Sequence, residues 1–292
     1  MNASMLPLYG ANFLAKRLRS FARYLEQSAE FIDARRSLTM QQHAVLQRNV
    51  AFSDKHKGQP AFVIVNGPSL ATQNILNLKD QVTFVVSGFW KHEAVLSWQP
   101  TYYSLLDANF FTDTPATRTF YQCMRQRIHK TTFFVPLYRG FDFIQKQGFL
   151  PEDSTYYVAC MGDNIAGNNL TDIVQGFAGV SSFALSQAIY MGCNPIYLLG
   201  FDHDYLANRG VDRHFYKGGT LPGHPETSVP LSDRIPYDAE MRANLRLWDN
   251  YRILDAEAKR KNIAILNATN GGYLDVFPRV EFNSLFSSGL YK

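Results

Sequence analysis

Seven short apolar runs alternate with helix-like stretches along the chain, and this alternation constrains the fold more than any other feature. The runs cover residues 61–65, 82–87, 101–106, 131–135, 155–159, 195–200 and 263–266. Several of them are continuously apolar, as expected for parallel strands that are covered on both faces. Strands that alternate with helices predict an α/β fold: a Rossmann-like, mostly parallel sheet with helices on both faces.

Two helices are predicted with clear boundaries. A helical stretch over residues 180–191 stops at Gly192, and glycine commonly ends a helix. The apolar run at 195–200 follows it directly. A second helical pattern covers residues 239–261, where one face carries Leu245, Trp248, Tyr251 and Leu254.

Residues 1–52 are predicted to form a helical arm, and residues 53–292 are predicted to form a nucleotide-binding catalytic domain. Apolar side chains recur in the arm at helical spacing, at Leu14, Leu18, Phe21 and Leu25. Basic side chains occupy positions between them, at Lys16, Arg17, Arg19 and Arg23. The pattern leaves two interpretations open: a helix packed on the body or on a second subunit of a homo-oligomer, or a helix attached to an anionic membrane surface.

Composition narrows the class of protein. The 292-residue chain is 46% hydrophobic and 18% charged, which allows a sizeable core. A net charge of +4 suits an anionic small ligand better than nucleic acid. Three cysteines without a CxxC pair argue against a disulfide framework and a zinc site. The apolar runs are too short to span a bilayer and the chain begins without a signal-sequence pattern, so we expect a cytoplasmic protein, with contact at the inner face of the membrane left open.

The turn Asn66-Gly67-Pro68-Ser69 follows the first predicted strand and is a candidate phosphate loop. Gly67 lets the backbone approach a phosphate, and Pro68 suits the start of a helix. The amides beyond Pro68 would then attract negative charge. The turn differs from the dinucleotide and Walker patterns, so it indicates neither a dinucleotide nor a P-loop triphosphate. A purely structural strand-turn-helix is the alternative.

A second cluster of polar residues follows directly after the apolar run at 195–200. Ligands of open α/β sheets gather at such carboxyl ends, which places Asp202, Asp204 and Tyr205 in the predicted cleft. Asp202 and Asp204 alternate along an extended segment, so they could share a divalent cation such as Mg²⁺, or they could order the loop. Other strand ends carry Ser87-Gly88 and Asp107, which either line the same cleft or cap a helix.

Residues 203–237 form a long irregular segment that we predict to be an active-site lid. Histidine titrates near neutral pH, so a lid histidine is a natural general base for an attacking hydroxyl. His203, His214 and His224 compete for this role, and a structural, hydrogen-bonded histidine is the alternative for each. His214 is favoured because its aromatic neighbours would exclude water and Arg213 could meet a phosphate.

Four segments together resemble the MptE-like family of Rossmann proteins. They are residues 66–70, 179–192, 196–202 and 267–280, and the resemblance extends from about 61 to 286. The family includes 6-hydroxymethylpterin diphosphokinases and motility-associated glycosyltransferases. The chain is also similar to the sialyltransferases of glycosyltransferase family 42, which share the Asn-Gly-Pro-Ser-Leu loop and a Gly-x-Asp strand end.

The sialyltransferase resemblance implies inverting transfer from a CMP-activated nonulosonic acid without a metal. It assigns Asn66 to the nucleotide phosphate, Ser181 or Ser182 to the nucleotide, and His214 to the general base. The sequence differs from the sialyltransferase pattern at two places. Asp204 stands where those enzymes carry tyrosine, with Tyr205 one step later, and Ser87-Gly88 replaces an Asn-Gln pair. A carboxylate beside a leaving phosphate is repulsive unless a cation intervenes, so Asp204 favours a metal and disfavours CMP-sialate.

The resulting hypotheses differ in chemistry. The first is a glycosyltransferase of surface glycan assembly, whose partners are a nucleotide sugar and a glycan acceptor. The second is a diphosphokinase with magnesium on Asp202 and Asp204, to which Asp107 could be added as a third ligand. The third is a non-catalytic nucleotide-binding module tethered through the arm. The predicted catalytic residues are His214, Asp202 and Asp204. The predicted nucleotide and phosphate contacts are Asn66, Gly67, Pro68, Ser69, Ser87, Gly88, Asp107, Ser181, Ser182 and Tyr205.

Overall fold

A computed structural model describes residues 6–161, 168–209, 211, 213–216 and 236–287. Its main feature is a seven-stranded sheet in which every recorded strand pair is parallel. The strands are β1 (Ala61–Ile64), β2 (Val82–Val86), β3 (Tyr102–Ser104), β4 (Thr132–Pro136), β5 (Thr155–Val158), β8 (Ile196–Leu199) and β9 (Ile265–Asn267). Each lies within one or two residues of a predicted run, so the predicted fold class is confirmed.

Helices cover both faces of the sheet. They are α1 (Leu6–Ser37), α2 (Met40–Gln47), α3 (Pro115–Arg127), α4 (Leu137–Gln147), α5 (Val180–Tyr190), α6 (Tyr237–Arg260) and α7 (Ser284–Ser287). Buried residues of α3 and α4 join one core, with Ile64 and Val85 of the sheet. Buried residues of α5 and α6 join a second core, with Val63 and Val86. The continuous apolar runs reflect this burial on both sides.

The strand order is β5-β4-β3-β2-β1-β8-β9, so the chain reverses its direction of travel across the sheet between β1 and β8. Strands β2 to β5 extend to one side of β1, and α5 returns the chain to the other side. Such a reversal leaves a crevice at the carboxyl ends of the two central strands, where ligands of open α/β sheets bind. Two further short strands, β6 (Cys160–Met161) and β7 (Val174–Gln175), pair separately and were not predicted.

The turn after β1 differs from the prediction. Pro68 does begin a helical segment, but this is a 3-10 turn that spans only Pro68–Thr72. Extended backbone at Gln73 ends it, and a second short turn over Ile75–Leu78 follows. The first turn is therefore too short to build the dipole of a full α-helix.

The predicted arm divides into an exposed part and a packed part. Leu46 and Phe52 are buried in the body, so the last stretch of residues 1–52 belongs to the cores. The C-terminal end of α1 is fixed by buried Ala34 and by the ion pair between Arg35 and Asp172. Apolar side chains between residues 13 and 25 are exposed. None of the helices in the described ranges combines the length and apolar character needed to cross a bilayer.

Candidate active site

An open cleft of about 620 Å³ lies at the carboxyl edge of the sheet, beside the ends of β1 and β8. This volume falls within the range of small-molecule sites. The cleft is lined by Pro68, Ser69, Thr72, Asp202, Asp204, Asn208, Arg213, Asn270, Gly272 and Tyr273. Four of these side chains were predicted as site residues: Pro68, Ser69, Asp202 and Asp204. The other six lining residues are not among the predicted site residues.

The Asp202 carboxylate binds the turn that was predicted to hold phosphate. It accepts a hydrogen bond from the Ser69 backbone N–H at 3.1 Å and one from the Ser69 hydroxyl at 2.7 Å. A Cβ atom on Gly67 would lie 1.9 Å from Asp202 Oδ2 and 2.2 Å from the Gly200 carbonyl oxygen, so only glycine fits this contact. Burial raises the pKa of Asp202 above its usual value, while the hydrogen bonds from Ser69 oppose that shift.

The backbone amides of this turn are engaged within the protein. The Gly67 N–H donates to the Gly200 carbonyl at 3.0 Å, and the Leu70 N–H donates to the Gly67 carbonyl at 3.1 Å. Pro68 has no N–H, and the Ser69 N–H is bound to Asp202. The expectation that amides around Gly67 lie open for a phosphate is therefore wrong, because Asp202 occupies the place expected for the anion.

Asp204 is neutralised by an arginine that also lines the cleft. Arg213 donates from Nε and Nη2 to Asp204 Oδ2, at 3.0 and 2.5 Å. Asn208 donates to the same oxygen at 3.1 Å. The hydrogen bonds that Arg213 donates to Asp204 raise the pKa of Arg213, which keeps the guanidinium charged. The cleft therefore presents a guanidinium beside a carboxylate that is already paired.

Asp202 and Asp204 line the same cleft, but their surroundings do not fit a preformed cation site. Ser69 satisfies Asp202, and Arg213 places a positive charge on Asp204. Among the described residues, no group of three or more histidine, cysteine, aspartate or glutamate side chains is suited to a metal ion. Metal binding by the pair stays a prediction.

The described part of the lid crosses the ends of β1 and β2. The Phe215 N–H donates to the Asn66 carbonyl at 3.0 Å, and the Phe215 ring packs 5.0 Å from the His92 ring. The Tyr216 hydroxyl covers Gly88, where an added Cβ would lie 2.5 Å from it. His214, half-buried, stacks on Tyr216 with ring centroids 5.0 Å apart. The described residues of the predicted lid thus hold His214 beside Arg213 at the sheet edge.

Three buried polar atoms near the ends of β1, β2 and β3 lack a hydrogen-bond partner among the described residues. They are Asn66 Oδ1, Ser87 Oγ and Gln187 Nε2. The amide nitrogen of Asn66 donates to the Val86 carbonyl at 3.3 Å, and the Ser104 hydroxyl donates to Gln187 Oε1 at 2.9 Å. Buried groups of this kind call for a partner from water or from a ligand. Gln187 was not predicted, although a polar residue inside the apolar helix α5 is a signal that could have identified it.

His203 faces α6 rather than the cleft. Its Nε2 shares a 2.8 Å hydrogen bond with the Tyr251 hydroxyl, which shares a 2.6 Å bond with the Ser181 hydroxyl. Burial lowers the pKa of His203 to about 4. Ser182 donates to the Gly179 carbonyl at 2.8 Å. The structure therefore gives both predicted serines partners within the protein.

The remaining predicted residues lie at other positions. Asp107 precedes the short turn Ala108–Phe111 after β3, and its side chain does not cap that turn. Tyr205 lies on a turn beside the cleft and is exposed. His224 lies outside the described residues. Neither Asp107 nor Tyr205 is among the residues that line the cleft.

A loop after β9 completes the cleft, and the sequence did not predict it as part of the site. The Tyr273 N–H donates to the Asp202 carbonyl at 2.7 Å. Gly272 passes so close that a Cβ would lie 2.6 Å from that carbonyl oxygen. Arg279 supports the loop by donating to the carbonyls of Gly271 at 2.6 Å and Gly272 at 2.9 Å. The loop therefore fixes the backbone that carries Asp202.

No protein-family model matches the chain, and no curated protein sequence matches it. Similar solved structures include the MAf glycosyltransferase from Magnetospirillum magneticum AMB-1, with 14% identity over 83% of this chain and a TM-score of 0.48. The matched region spans 39% of that glycosyltransferase. The sialyltransferase CstII from Campylobacter jejuni, solved with a substrate analogue, cytidine-5'-monophosphate, is another similar structure. The match has 13% identity and a TM-score of 0.45, and it covers 78% of this chain and 86% of the sialyltransferase.

A second structure of this sialyltransferase, CST-II with a trisaccharide acceptor and CMP, matches with 12% identity. It covers 72% of this chain and 80% of that chain, with a TM-score of 0.41. Membership of the MptE-like family and similarity to glycosyltransferase family 42 stay predictions.

Proposed function

We propose that this protein is a glycosyltransferase that moves a sugar from a nucleotide donor to a hydroxyl group of a glycan acceptor in surface glycan assembly. A CMP-activated nonulosonic acid is the donor to test first. The observation that carries the proposal is the pairing of Arg213 with Asp204 in the cleft at the strand-order reversal. In the proposed complex, the guanidinium of Arg213 would meet the phosphate oxygens of the departing nucleotide.

This pairing supplies the cation that a carboxylate at position 204 requires if a phosphate is to leave beside it. A free carboxylate in the cleft would repel a leaving phosphate, but the guanidinium fork of Arg213 compensates that charge. Arginine is also well suited to phosphate oxygens, because its planar group offers several donors in a fixed geometry. A metal ion is therefore not required to explain how the cleft tolerates a nucleotide phosphate.

His214 follows Arg213 directly and is the proposed general base. In the proposed step, His214 takes the proton of the acceptor hydroxyl while the acceptor oxygen forms a bond to the anomeric carbon. The bond between that carbon and the phosphate oxygen breaks, and the nucleotide leaves with the electron pair near Arg213. Attack opposite the leaving group inverts the anomeric centre. Asn66 Oδ1, Ser87 Oγ and Gln187 Nε2 are proposed nucleotide contacts because they are buried without partners in the described residues.

Donor turnover tests the proposal. The full chain is incubated with a panel of CMP-sugars and UDP-sugars, and the release of free nucleotide is measured with and without a glycan acceptor. The expected result is turnover of at least one donor, with CMP-nonulosonic acids tested first. An absence of turnover and binding across the panel would contradict the proposal.

Two arginine variants provide a matched comparison. Arg213 and Arg209 lie on the same segment, and each pairs with a carboxylate, Asp204 or Glu240. Their exposed fractions are similar, at 32% and 24%, but only Arg213 lines the cleft. We expect Arg213→Ala to lower donor turnover by about a hundredfold, a loss typical of a group that stabilises developing charge. Arg209→Ala should stay close to wild type, and equal losses in the two variants would point to a structural effect.

The diphosphokinase alternative would place magnesium on Asp202 and Asp204, with Asp107 as an optional third ligand. Ser69 and Arg213 already engage the first two carboxylates, so this geometry does not favour it. Thermal stabilisation by ATP and magnesium, without stabilisation by any nucleotide sugar, would reverse this preference. The non-catalytic alternative predicts that cells retain their phenotype with His214→Ala but lose it when the arm is deleted.

A further inference from the structure

Helix α1 exposes a narrow apolar stripe whose spacing is that of a coiled coil. Described residues Leu14, Leu18, Phe21, Leu25 and Ile32 recur at intervals of four, three, four and seven. Each of these side chains is between 48% and 59% exposed. A repeat of alternating threes and fours is the heptad pattern, which presents one seam to a partner helix. Over Leu14 to Ile32 this seam is about 27 Å long at 1.5 Å per residue.

Alanines flank the seam at the same heptad position. Ala15, Ala22 and Ala29 are seven residues apart, and Ala22 and Ala29 are exposed. Small side chains beside an apolar seam let two helix backbones approach closely, whereas a bulky side chain would hold them apart. Among the described residues, none of the seam side chains belongs to either of the two cores.

The charges along the seam differ between its two halves. Exposed Arg17 and Arg19 lie in the first half, and exposed Glu26 and Glu30 lie in the second. Beyond the seam, Asp33 pairs with Arg36 within α1, at 4.0 Å. In an antiparallel pair, the basic half of each helix faces the acidic half of the other. A parallel pair would place like charges together, and an anionic membrane would repel the acidic half. Charge complementarity therefore selects a second copy of this chain, in antiparallel orientation.

We propose that α1 is a homodimerisation helix that pairs antiparallel with α1 of a second copy through the seam of Leu14, Leu18, Phe21, Leu25 and Ile32. The C-terminal end of α1 is anchored by buried Ala34 and by the Arg35 ion pair with Asp172, and the seam lies on the part of α1 that precedes this anchor. The pairing crosses near residue 23, which brings Arg17 and Arg19 of each copy beside Glu26 and Glu30 of the other.

Solution mass tests the seam. Light scattering on the full chain should give twice the 33.2 kDa of one copy, and Leu18→Glu with Phe21→Glu should shift the mass to one copy. The matched control is Val50→Glu with Leu96→Glu, which makes the same kind of change at residues 65% and 70% exposed on the body. The control should remain dimeric. A wild-type monomer, or a seam variant that stays dimeric, overturns the proposal.

Charge exchange tests the orientation. Arg17→Glu with Arg19→Glu should weaken dimerisation at least tenfold, and so should Glu26→Arg with Glu30→Arg, because each makes both halves of the helix alike in sign. Mixing these two double variants should restore the dimer. If the exchanges change nothing, the antiparallel pairing is wrong. If wild type is monomeric and sediments with phosphatidylglycerol vesicles through the seam residues, the occupant is a membrane and the proposal fails.

Discussion

The carboxylate of Asp202 accepts two hydrogen bonds from Ser69, one from the backbone N–H at 3.1 Å and one from the hydroxyl at 2.7 Å. The two residues are separated by 133 positions in sequence. Their contact joins the turn after β1 to the end of β8 and closes one wall of the cleft. The hydrogen-bond donors of that turn are therefore occupied by the Asp202 carboxylate. Among the described residues that line the cleft, Arg213 carries the cationic group.

Replacing Asp202 should separate its structural contribution from its charge. Asp202→Ala leaves the buried Ser69 N–H without an acceptor, and we expect a loss of about 1–3 kcal/mol in the free energy of unfolding. Asp202→Asn keeps a carbonyl oxygen for that N–H, and the serine hydroxyl can turn to accept from the amide. It should therefore lose less than the alanine variant in denaturant unfolding. Equal losses would show that the hydrogen bonds to Ser69 contribute little.

The same residue predicts a pH dependence. Because burial raises the pKa of Asp202 in the folded state, the folded protein holds this proton more tightly than the unfolded chain. The resulting contribution to stability is fully present below the usual pKa of 3.8 and is lost as the pH rises through the higher folded-state value. Unfolding free energies of wild type and Asp202→Asn, compared from pH 3 upward, should diverge in this sense. An unchanging difference would contradict the raised pKa.

Gly67→Ala should disrupt the contact by steric overlap alone. The φ of Gly67 is −60°, which alanine adopts freely, but its Cβ would lie 1.9 Å from Asp202 Oδ2. We expect a loss of about 3 kcal/mol, at the upper end of overpacking effects. Gly58→Ala is the control, since Gly58 has φ +73° and open space around it. It should lose only about 1–2 kcal/mol, the strain of a left-handed residue. A Gly67 variant no less stable than the Gly58 variant would contradict the close contact.

Histidine variants distinguish the three candidates for the general base. His214→Ala should lower kcat by about a hundredfold or more, while donor affinity changes little. His203→Gln keeps an acceptor near the Tyr251 hydroxyl and should retain turnover, because His203 faces α6. His224→Gln tests the lid residue that lies outside the described ranges. A large loss confined to either of the last two variants would move the role of base away from His214.

Tyr251→Phe should weaken the link between α5 and the loop after β8. The Tyr251 hydroxyl shares hydrogen bonds with Ser181 and with His203, and all three groups are buried or partly buried. Loss of the hydroxyl should lower the free energy of unfolding by about 1–3 kcal/mol. A double-mutant cycle with Ser181→Ala measures the coupling directly. Strictly additive effects of the two substitutions would show that this hydrogen bond contributes nothing.

Local patterns in the sequence predicted a large part of the architecture. Each strand of the main sheet was predicted within two residues. A strand that is buried on both faces is apolar at successive positions, so it can be recognised from its own residues. The stop of α5 before Gly192 was also predicted, because glycine acts on the residues beside it. Asp202 and Asp204 were placed at a strand end for the same reason, and the cleft lies there.

Local patterns of residues were enough to predict the parallel sheet, its helices and the edge at which the cleft opens, since periodicity and turn residues act over a few positions. Which groups at that edge are already engaged depends on how distant elements pack. Asp202 reaches Ser69, Arg213 neutralises Asp204, and the Phe215 amide binds the Asn66 carbonyl. Hydrogen-bond partners distant in sequence meet only when the elements pack, so the pattern of residues predicted a phosphate cradle where the folded chain places its own carboxylate.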